Sequence, residues 1–451
     1  MATLSPQQPG LPGPYRVEAT ATGGRVRSVM KVAVVHSFYA SGQPSGENEA
    51  VLDQVRALRR AGHEVRLFAA HTDELVQAPL YAPRAAARVA TGRGRHPLAG
   101  LRAYDPDIVH VHNLFPNFGR VWLRGWDGPL VATMHNYRPM CAAATLYREG
   151  QVCTRCLDGE RWASLRHGCY RSSRTATLPL AWAGRRGAAS DPLLARADRL
   201  VVLSSLAERT YRRAGVPAEC LRLVPNFVGD PSVDEAAPGD NGRWLAVARL
   251  TAEKGILELL RRWPAEEPLD IVGDGELMAE CRAAAPPSVR FLRSLDRSEL
   301  RRRLPSWRGL VFSSRVFEGA VPLVYIESLA AGLPVIAFEG SSAAESVKEL
   351  GTGLVMTWQE PLAPVLREGS VTFPGLRERC RQSYADHFTE QGWSRRMNAL
   401  YAELVSETSH AQDSDRPADS GTPAAGPVAD GTGTSNRRSA FLGVHGRGAA
   451  S

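Results

Sequence analysis

Short apolar runs alternate along most of this chain with stretches whose apolar residues recur at helical spacing. That alternation predicts a parallel α/β protein. Residues 31–36, 64–69, 107–112, 129–134 and 197–203 read as buried strands, and 223–226 closes the first half. Between the first two strands, Val51, Val55 and Leu58 share one helical face that stops at Gly62. The Arg- and Ala-rich residues 78–103 read as exposed helix. The second half repeats the rhythm with strands at 244–248, 269–272, 289–292 and 310–312, and a tight turn at Gly351–Gly353 enters another. Asp296 and Glu299 have capping-box spacing. Trp393, Met397, Leu400 and Tyr401 mark one face of a helix over 390–404.

Residues 310–335 carry the most information. A short strand leads into a polar loop with Glu318 and Gly319, then into a helix at Pro322 built on Leu323, Ile326, Leu329 and Ala330 and closed by Gly332 and Pro334. Glu327 lies about five residues into that helix, roughly 7.5 Å along its axis. Free N–H groups at such a helix start attract anions.

The chain has 451 residues, too long for one ordinary core. We read residues 1–29 as a disordered extension, 30–228 as a first domain, 229–242 as a linker and 243–388 as a second domain. Residues 389–404 form a helix packing back toward the first domain, and 405–451 a disordered tail. No apolar run approaches the ~20 residues of a membrane span, and no secretory leader is evident, which points to the cytoplasm. The formal net charge of +8 is widely spread and comes mostly from Arg. It suits anionic small molecules or peripheral contact with an anionic membrane. Without a basic face interleaved with aromatics, nucleic acid is not expected. The Arg-rich stretches at 84–102 and 293–303 read as solvated faces.

Two parallel sheets facing a cleft would bring polar strand ends together. The second domain offers Arg249, Lys254, Gly273, Gly275 and the helix start at Pro322. These are two cations, close backbone approach and a helix dipole, which is equipment for a diphosphate. Glu327 could accept from a pair of ribose hydroxyls. The first domain offers Gly46, Asn113 and His135. No carboxylates show divalent-metal spacing, so protein groups would neutralise the diphosphate and no catalytic cofactor is expected. His36, His63, His110 and His112 read as packing residues. Cys141, Cys153, Cys156 and Cys169 are bunched around a Cys-x-x-Cys, which leaves a structural zinc site and free or redox-paired thiols both open.

The ordered pieces Ala248-Arg-Leu-x-x-Glu-Lys-Gly255, Val272-Gly-Asp-Gly275, Glu318-Gly319, Pro322-Leu323 and Glu327-Ser-Leu-Ala-Ala-Gly-Leu-Pro-Val335 carry a resemblance. Gly46-Glu47, Gly62-His-Glu-Val65, His112-Asn113 and Val224-Pro-Asn226 extend it. The chain resembles retaining glycosyltransferases of family four, which have the GT-B fold of two Rossmann-like domains. The run His135-Asn-Tyr-Arg138 followed by the four cysteines, an insert over 141–169, is similar to one subgroup. The resemblance implies a nucleotide-diphosphate sugar as donor, metal-independent transfer, and a glycan, lipid-linked or small-molecule acceptor. It implies Arg249 and Lys254 on the diphosphate, Glu327 on the ribose, and Glu318 and His135 on the donor sugar. Gly46, Gly273, Gly275, Gly319, Pro322 and Leu323 would line the donor, with Glu47, Asn113 and Arg138 on the acceptor side. The alternatives are a sugar-nucleotide epimerase, a phosphorylase, or a non-catalytic nucleotide-sugar-binding protein.

Two departures stand out. Eight residues separate Glu318 from Glu327 where the family has seven, so Glu318 is expected to be displaced or Val321 to bulge. Ser45 stands where the subgroup has a glycine.

Overall fold

The computed structural model describes residues 29–41, 45–229, 241–292, 295–315 and 318–414. Most of the expected N-terminal extension, linker and tail therefore lies outside the described residues.

The first sheet contains β1 (Lys31–Phe38), β2 (Glu64–His71), β3 (Ile108–Asn113), β4 (Leu130–Met134), β7 (Arg199–Val202) and β8 (Leu221–Leu223). A small antiparallel hairpin, β5 (Tyr147–Arg148) and β6 (Gln151–Val152), stands apart in the cysteine segment. The second sheet contains β9 (Trp244–Val247), β10 (Leu269–Val272), β11 (Val289–Phe291), β12 (Gly309–Phe312), β13 (Val335–Phe338) and β14 (Gly353–Met356). Spatial orders are β2-β1-β3-β4-β7-β8 and β11-β10-β9-β12-β13-β14. Every pairing in the two six-stranded sheets is parallel. Each order reverses direction beside its first strand, so that β1 and β9 flank the crevices where such sheets hold ligands.

Helices on both faces explain the near-continuous apolar strands. All of β3, β4, β10, β12 and β13 is buried. β13 was not evident in the sequence, because Val335–Phe338 follows its helix after only a Gly-Leu-Pro break.

The helix Gly46–Arg60 shows why its sequence folds as it does. Ser45 caps it, its hydroxyl accepting from the Asn48 N–H at 3.3 Å. Glu47 and Glu49 sit in the first turn and Arg59 and Arg60 in the last, each sign matching the helix dipole. The residue that departs from the family pattern is thus the cap.

The last helix, Glu390–Ser414, begins where the sequence places it but runs ten residues past the expected end at Leu404. Trp393, Met397, Leu400, Tyr401 and Leu404 share one apolar cluster with Val32, Val34, Val51 and Val55 of the first domain. Burying each such side chain is worth roughly 1.5–3 kcal/mol. Arg60 closes on Glu390 with two bonds of 2.7 and 2.6 Å, and His63 meets Asn398 at 2.9 Å. No described helix is long and apolar enough to cross a membrane.

The two halves also touch across the cleft. Ala320 bridges Leu203 at the end of β7, and the Val321 N–H donates to the Leu203 carbonyl at 3.2 Å. The extra residue between Glu318 and Glu327 is thereby absorbed in a loop that reaches the first domain.

Candidate functional site

Lys254 ends a short 3₁₀ turn, Ala252–Lys254, that follows β9. Gly255 then turns with φ +69°, and any Cβ there would lie 2.3 Å from the Ser313 carbonyl oxygen. This turn delivers the Lys254 ammonium to Glu318, with Nζ 2.7 Å from Oε1. The Ser314 hydroxyl donates to the same oxygen at 3.0 Å, while Oε2 is buried with no partner. Lys254, Ser313, Ser314, Glu318 and Pro322 line one cavity at the ends of β9 and β12. The extra residue has therefore not taken the Glu318 carboxyl away from Lys254. Val321 is fully buried and holds the loop.

Pro322 proves to be the residue before the helix Leu323–Ala330 rather than part of its first turn. An added Cβ at Gly46 would meet only Leu323 Cδ1, at 3.7 Å. The starts of the Gly46–Arg60 and Leu323–Ala330 helices therefore approach each other across the cleft.

The other expected donor residues lie apart from that cavity. Arg249 is about half exposed, its guanidinium 3.9 Å from Glu253, and it does not line the cavity with Lys254. Gly273 and Gly275 serve packing first. A Cβ on them would lie 1.9 Å from the Ala248 oxygen and 2.5 Å from the Leu250 oxygen, so they seat the loop that carries Arg249. Gly319 likewise backs onto the His135 oxygen, 2.7 Å from where a Cβ would stand.

Glu327 is only 5% exposed. Its Oε1 accepts from Arg297 Nε at 2.6 Å and Arg301 Nε at 3.1 Å. Arg297 also reaches Asp53 on the Gly46–Arg60 helix, Nη1 to Oδ2 3.0 Å. Both arginines lie on the helix Arg297–Arg303, which Asp296 caps through the Glu299 N–H. The expectation of a solvated arginine face is wrong for these two, because a buried carboxylate in another element claims them. Their spacing of four, one helical turn, was the available signal.

On the first domain, His135 follows β4. Its Nε2 lies 3.0 Å from His112 Nδ1. Burial, reinforced by His36 and His110, lowers its pKa to about 3 and keeps it neutral. His110 is held between the Tyr401 hydroxyl and Thr133, both at 2.7 Å, and burial lowers it to about 3 as well. These histidines are neutral dipoles, not cations.

Glu47 is the opposite case. Burial raises its pKa to about 7 against the pull of Asn136, Asn113 and Arg138. Its Oε2 accepts from Asn136 Nδ2 at 3.1 Å, and Oε1 is buried without a partner. Asn113 donates to the Tyr39 hydroxyl at 2.9 Å. Arg138 stacks over Phe115 at 4.2 Å and lies 5.6 Å from the Tyr170 ring. His112, Asn113, His135, Asn136 and Arg138 line a second cavity within the first domain.

Cys141, Cys153, Cys156 and Cys169 are half-buried free thiols near that hairpin. Burial raises Cys156 and takes Cys169 to about 11, with the neighbouring cysteines adding to both. Among the described residues no three His, Cys, Asp or Glu side chains gather as a metal set, which does not support the expected zinc site.

Comparison with known proteins agrees with this architecture. Residues 44–230 match the model described as Glycosyltransferase Family 4, and residues 242–364 match Glycosyl transferases group 1. No curated protein sequence matches the chain. Among solved structures, it is similar to sucrose-phosphate synthase from Thermosynechococcus elongatus, with a TM-score of 0.60 and 20% identity over 84% of this chain and 99% of that one. It is similar to a glycosyltransferase from Rickettsia africae, with a TM-score of 0.54 and 13% identity over 83% and 98%. It is also similar to HepE from Anabaena in complex with UDP, with a TM-score of 0.51 and 16% identity over 85% and 100%. The two matched domains occupy, in order, the two sheets of a GT-B frame, and the chain belongs to the glycosyltransferases built from this pair.

Proposed function

We propose that the protein is a retaining glycosyltransferase that moves a sugar from a nucleoside-diphosphate donor to an acceptor without a catalytic metal. The observation that carries this reading is Lys254, held at Glu318 beside two facing helix starts. The fold of HepE, solved with UDP and with UDP-glucose, supports a uridine nucleotide as the first donor to try.

In this reading the diphosphate takes Lys254 from Glu318 and draws in Arg249 from its exposed position. The two cations and the helix N–H groups neutralise the charge that grows as the anomeric C–O bond breaks toward the phosphate. The electron pair leaves with the nucleotide. The acceptor oxygen forms the new bond from the same face, and its proton passes to the departing phosphate. Glu318, released, accepts from donor-sugar hydroxyls. Neutral His135 hydrogen-bonds the sugar, and Glu327 holds the ribose. Gly46, Gly319, Pro322 and Leu323 let backbone and helix starts approach the donor, with Gly273 and Gly275 behind the Arg249 loop. Glu47, Asn113 and Arg138 serve the acceptor.

Exposed Leu178 and Trp182 lie one turn apart on the helix Arg174–Gly184, with Arg185 stacked on the Trp182 ring at 4.2 Å. This face supports peripheral contact with an anionic membrane at the cytoplasmic side. Sedimentation with anionic but not neutral vesicles, lost in Trp182→Glu, tests that contact.

The function itself is tested by incubating purified protein with nucleotide sugars and following free nucleotide and product. Turnover that stops in Lys254→Ala supports transfer. Isomerisation of the donor, or dependence on inorganic phosphate, would favour an epimerase or phosphorylase instead. Binding without turnover would favour a non-catalytic protein.

A further inference from the structure

A cavity opens in the first domain at the ends of β3 and β4, with the mix of apolar wall and a few polar groups that suits an organic ligand. At one side stand the polar strand ends, His112, Asn113, His135 and Asn136. Its walls are apolar: Leu114, Phe115, Phe118, Met134, Leu180 and Leu193. A sugar alone has no use for so much hydrocarbon.

The lining also holds three arginines and one carboxylate, Asp191. Asp191 is already engaged, by an ion pair with Arg120 and by capping the Leu193 N–H at 2.9 Å. Arg138 faces Glu47 electrostatically and lies over Phe115. Arg88 has no carboxylate facing it among the described residues. Its Nη1 donates to the Pro116 carbonyl at 3.2 Å, and its Nε, like that of Arg138, is buried with no partner. Desolvation lowers its pKa, with the cation of Arg95 adding to the effect and Tyr81 opposing it, so the guanidinium sits in a place that disfavours positive charge. A half-buried cation without a carboxylate is costly unless something anionic completes it.

We propose that this cavity binds an amphiphilic, anionic acceptor, a hydroxylated molecule whose apolar or aromatic body lies against Phe115, Phe118 and Leu180 and whose carboxylate or phosphate pairs with Arg88. This rests on the transfer reading above, in which His135 marks the donor sugar and so the place where the acceptor hydroxyl must arrive. The anion contributes both affinity and orientation, because a guanidinium binds an oxyanion in a fixed plane.

The test is calorimetric titration of the full chain with four probes, each kept below its micelle-forming concentration. Octyl β-D-glucuronide carries body and carboxylate, and octyl β-D-glucoside 6-phosphate carries body and phosphate. Octyl β-D-glucoside lacks the anion, and glucuronate lacks the body. At least one anionic amphiphile should bind about 10-fold or more tighter than the last two, and the stronger of the pair tells carboxylate from phosphate. Arg88→Met should erase that preference while melting like the wild type, and Arg88→Lys should keep most of it. Equal binding of glucuronate, a preference that survives in Arg88→Met, or no binding at millimolar probe would each overturn the proposal. UDP titrated into the same samples separates the two readings. Arg88-dependent probe binding without nucleotide binding would sink the transfer reading and leave the cavity's ligand class standing. Nucleotide binding without probe binding would do the reverse.

Discussion

Lys254 and Glu318 form a 2.7 Å ion pair, its side chains 23% and 13% exposed, in the cavity at the ends of β9 and β12. In the proposed reaction each is the partner the other gives up when a diphosphate sugar arrives. The pair stores both groups in position, so that the cation is oriented before the donor binds and little reorganisation remains for the reaction.

Removing one member therefore hurts in two ways. Lys254→Ala deletes the charge that in the proposed reaction stabilises the leaving nucleotide, and leaves Glu318 in a half-dry site without its cation. Turnover should fall at least 100-fold, the usual size of such a loss. Glu318→Gln keeps the shape and frees Lys254, so UDP should bind as well as before or better while kcat falls. Titration of UDP alongside initial rates separates the two effects.

Arg297 is expected to act through Glu327. It holds the carboxylate at 2.6 Å and joins it to Asp53 of the first domain at 3.0 Å. Arg297→Met should weaken nucleotide binding by about 10-fold, since Glu327 loses its orientation yet keeps Arg301. Arg297→Lys should restore little, because one ammonium cannot span both carboxylates. Calorimetry with UDP, compared with UMP and free uridine, shows whether the loss lies in the ribose contact common to all three.

How much of this was readable beforehand divides along physical lines. The strands were legible because a parallel strand buried on both faces is mostly apolar along its length, as in Lys31–Phe38 and Leu130–Met134. Lys254 and Glu318 were named from motif order, and the structure brings them together. The Arg297–Glu327–Asp53 chain was not legible, because it depends on three elements meeting, and an Arg on a polar helix looks the same whether it faces water or a buried acid. Nor was the role of the extra residue, since Leu203, which receives the Val321 N–H, lies more than one hundred residues away in sequence. Arg249 shows the converse. Its motif position is clear, but its side chain stays outside the Lys254 cavity.

Glu47 gives a pH signature of known sign. Its folded pKa of about 7 lies above the ordinary 4.5, so the folded state holds the extra proton between those values. That contribution to stability is present at low pH and is lost as pH rises through about 7. His36, lowered to about 4 by burial, and His110 and His135, at about 3, act oppositely and gain stability as pH rises toward 6.5. Melting curves from pH 4 to 8 should therefore rise and level off above about pH 7, because the three histidines outweigh the single carboxyl throughout. In Glu47→Gln the rise between about pH 4.5 and 7 should be steeper. A variant curve no steeper than the wild type over that range would contradict the assignment.

Gly319 should tolerate no side chain. A Cβ there would press on the His135 carbonyl at 2.7 Å and push the Glu318 loop away from the first domain. Gly319→Ala is expected to lower both melting temperature and turnover. Gly46→Ala meets only Leu323 Cδ1 at 3.7 Å and should keep the wild-type melting temperature.

The cysteine segment should behave as free thiols. Metal analysis of the purified chain is expected to give well under one zinc per molecule. Thiol titration of the unfolded chain under non-reducing conditions should count all seven cysteines.

The most direct measurement is the rate at which nucleotide is released from UDP-glucose by the wild type and by Lys254→Ala, assayed in parallel with chelator present. The account predicts metal-independent release by the wild type, falling at least about 100-fold in a variant that melts at the same temperature. Undiminished release by Lys254→Ala, or release that stops when divalent metal is withdrawn, would contradict it.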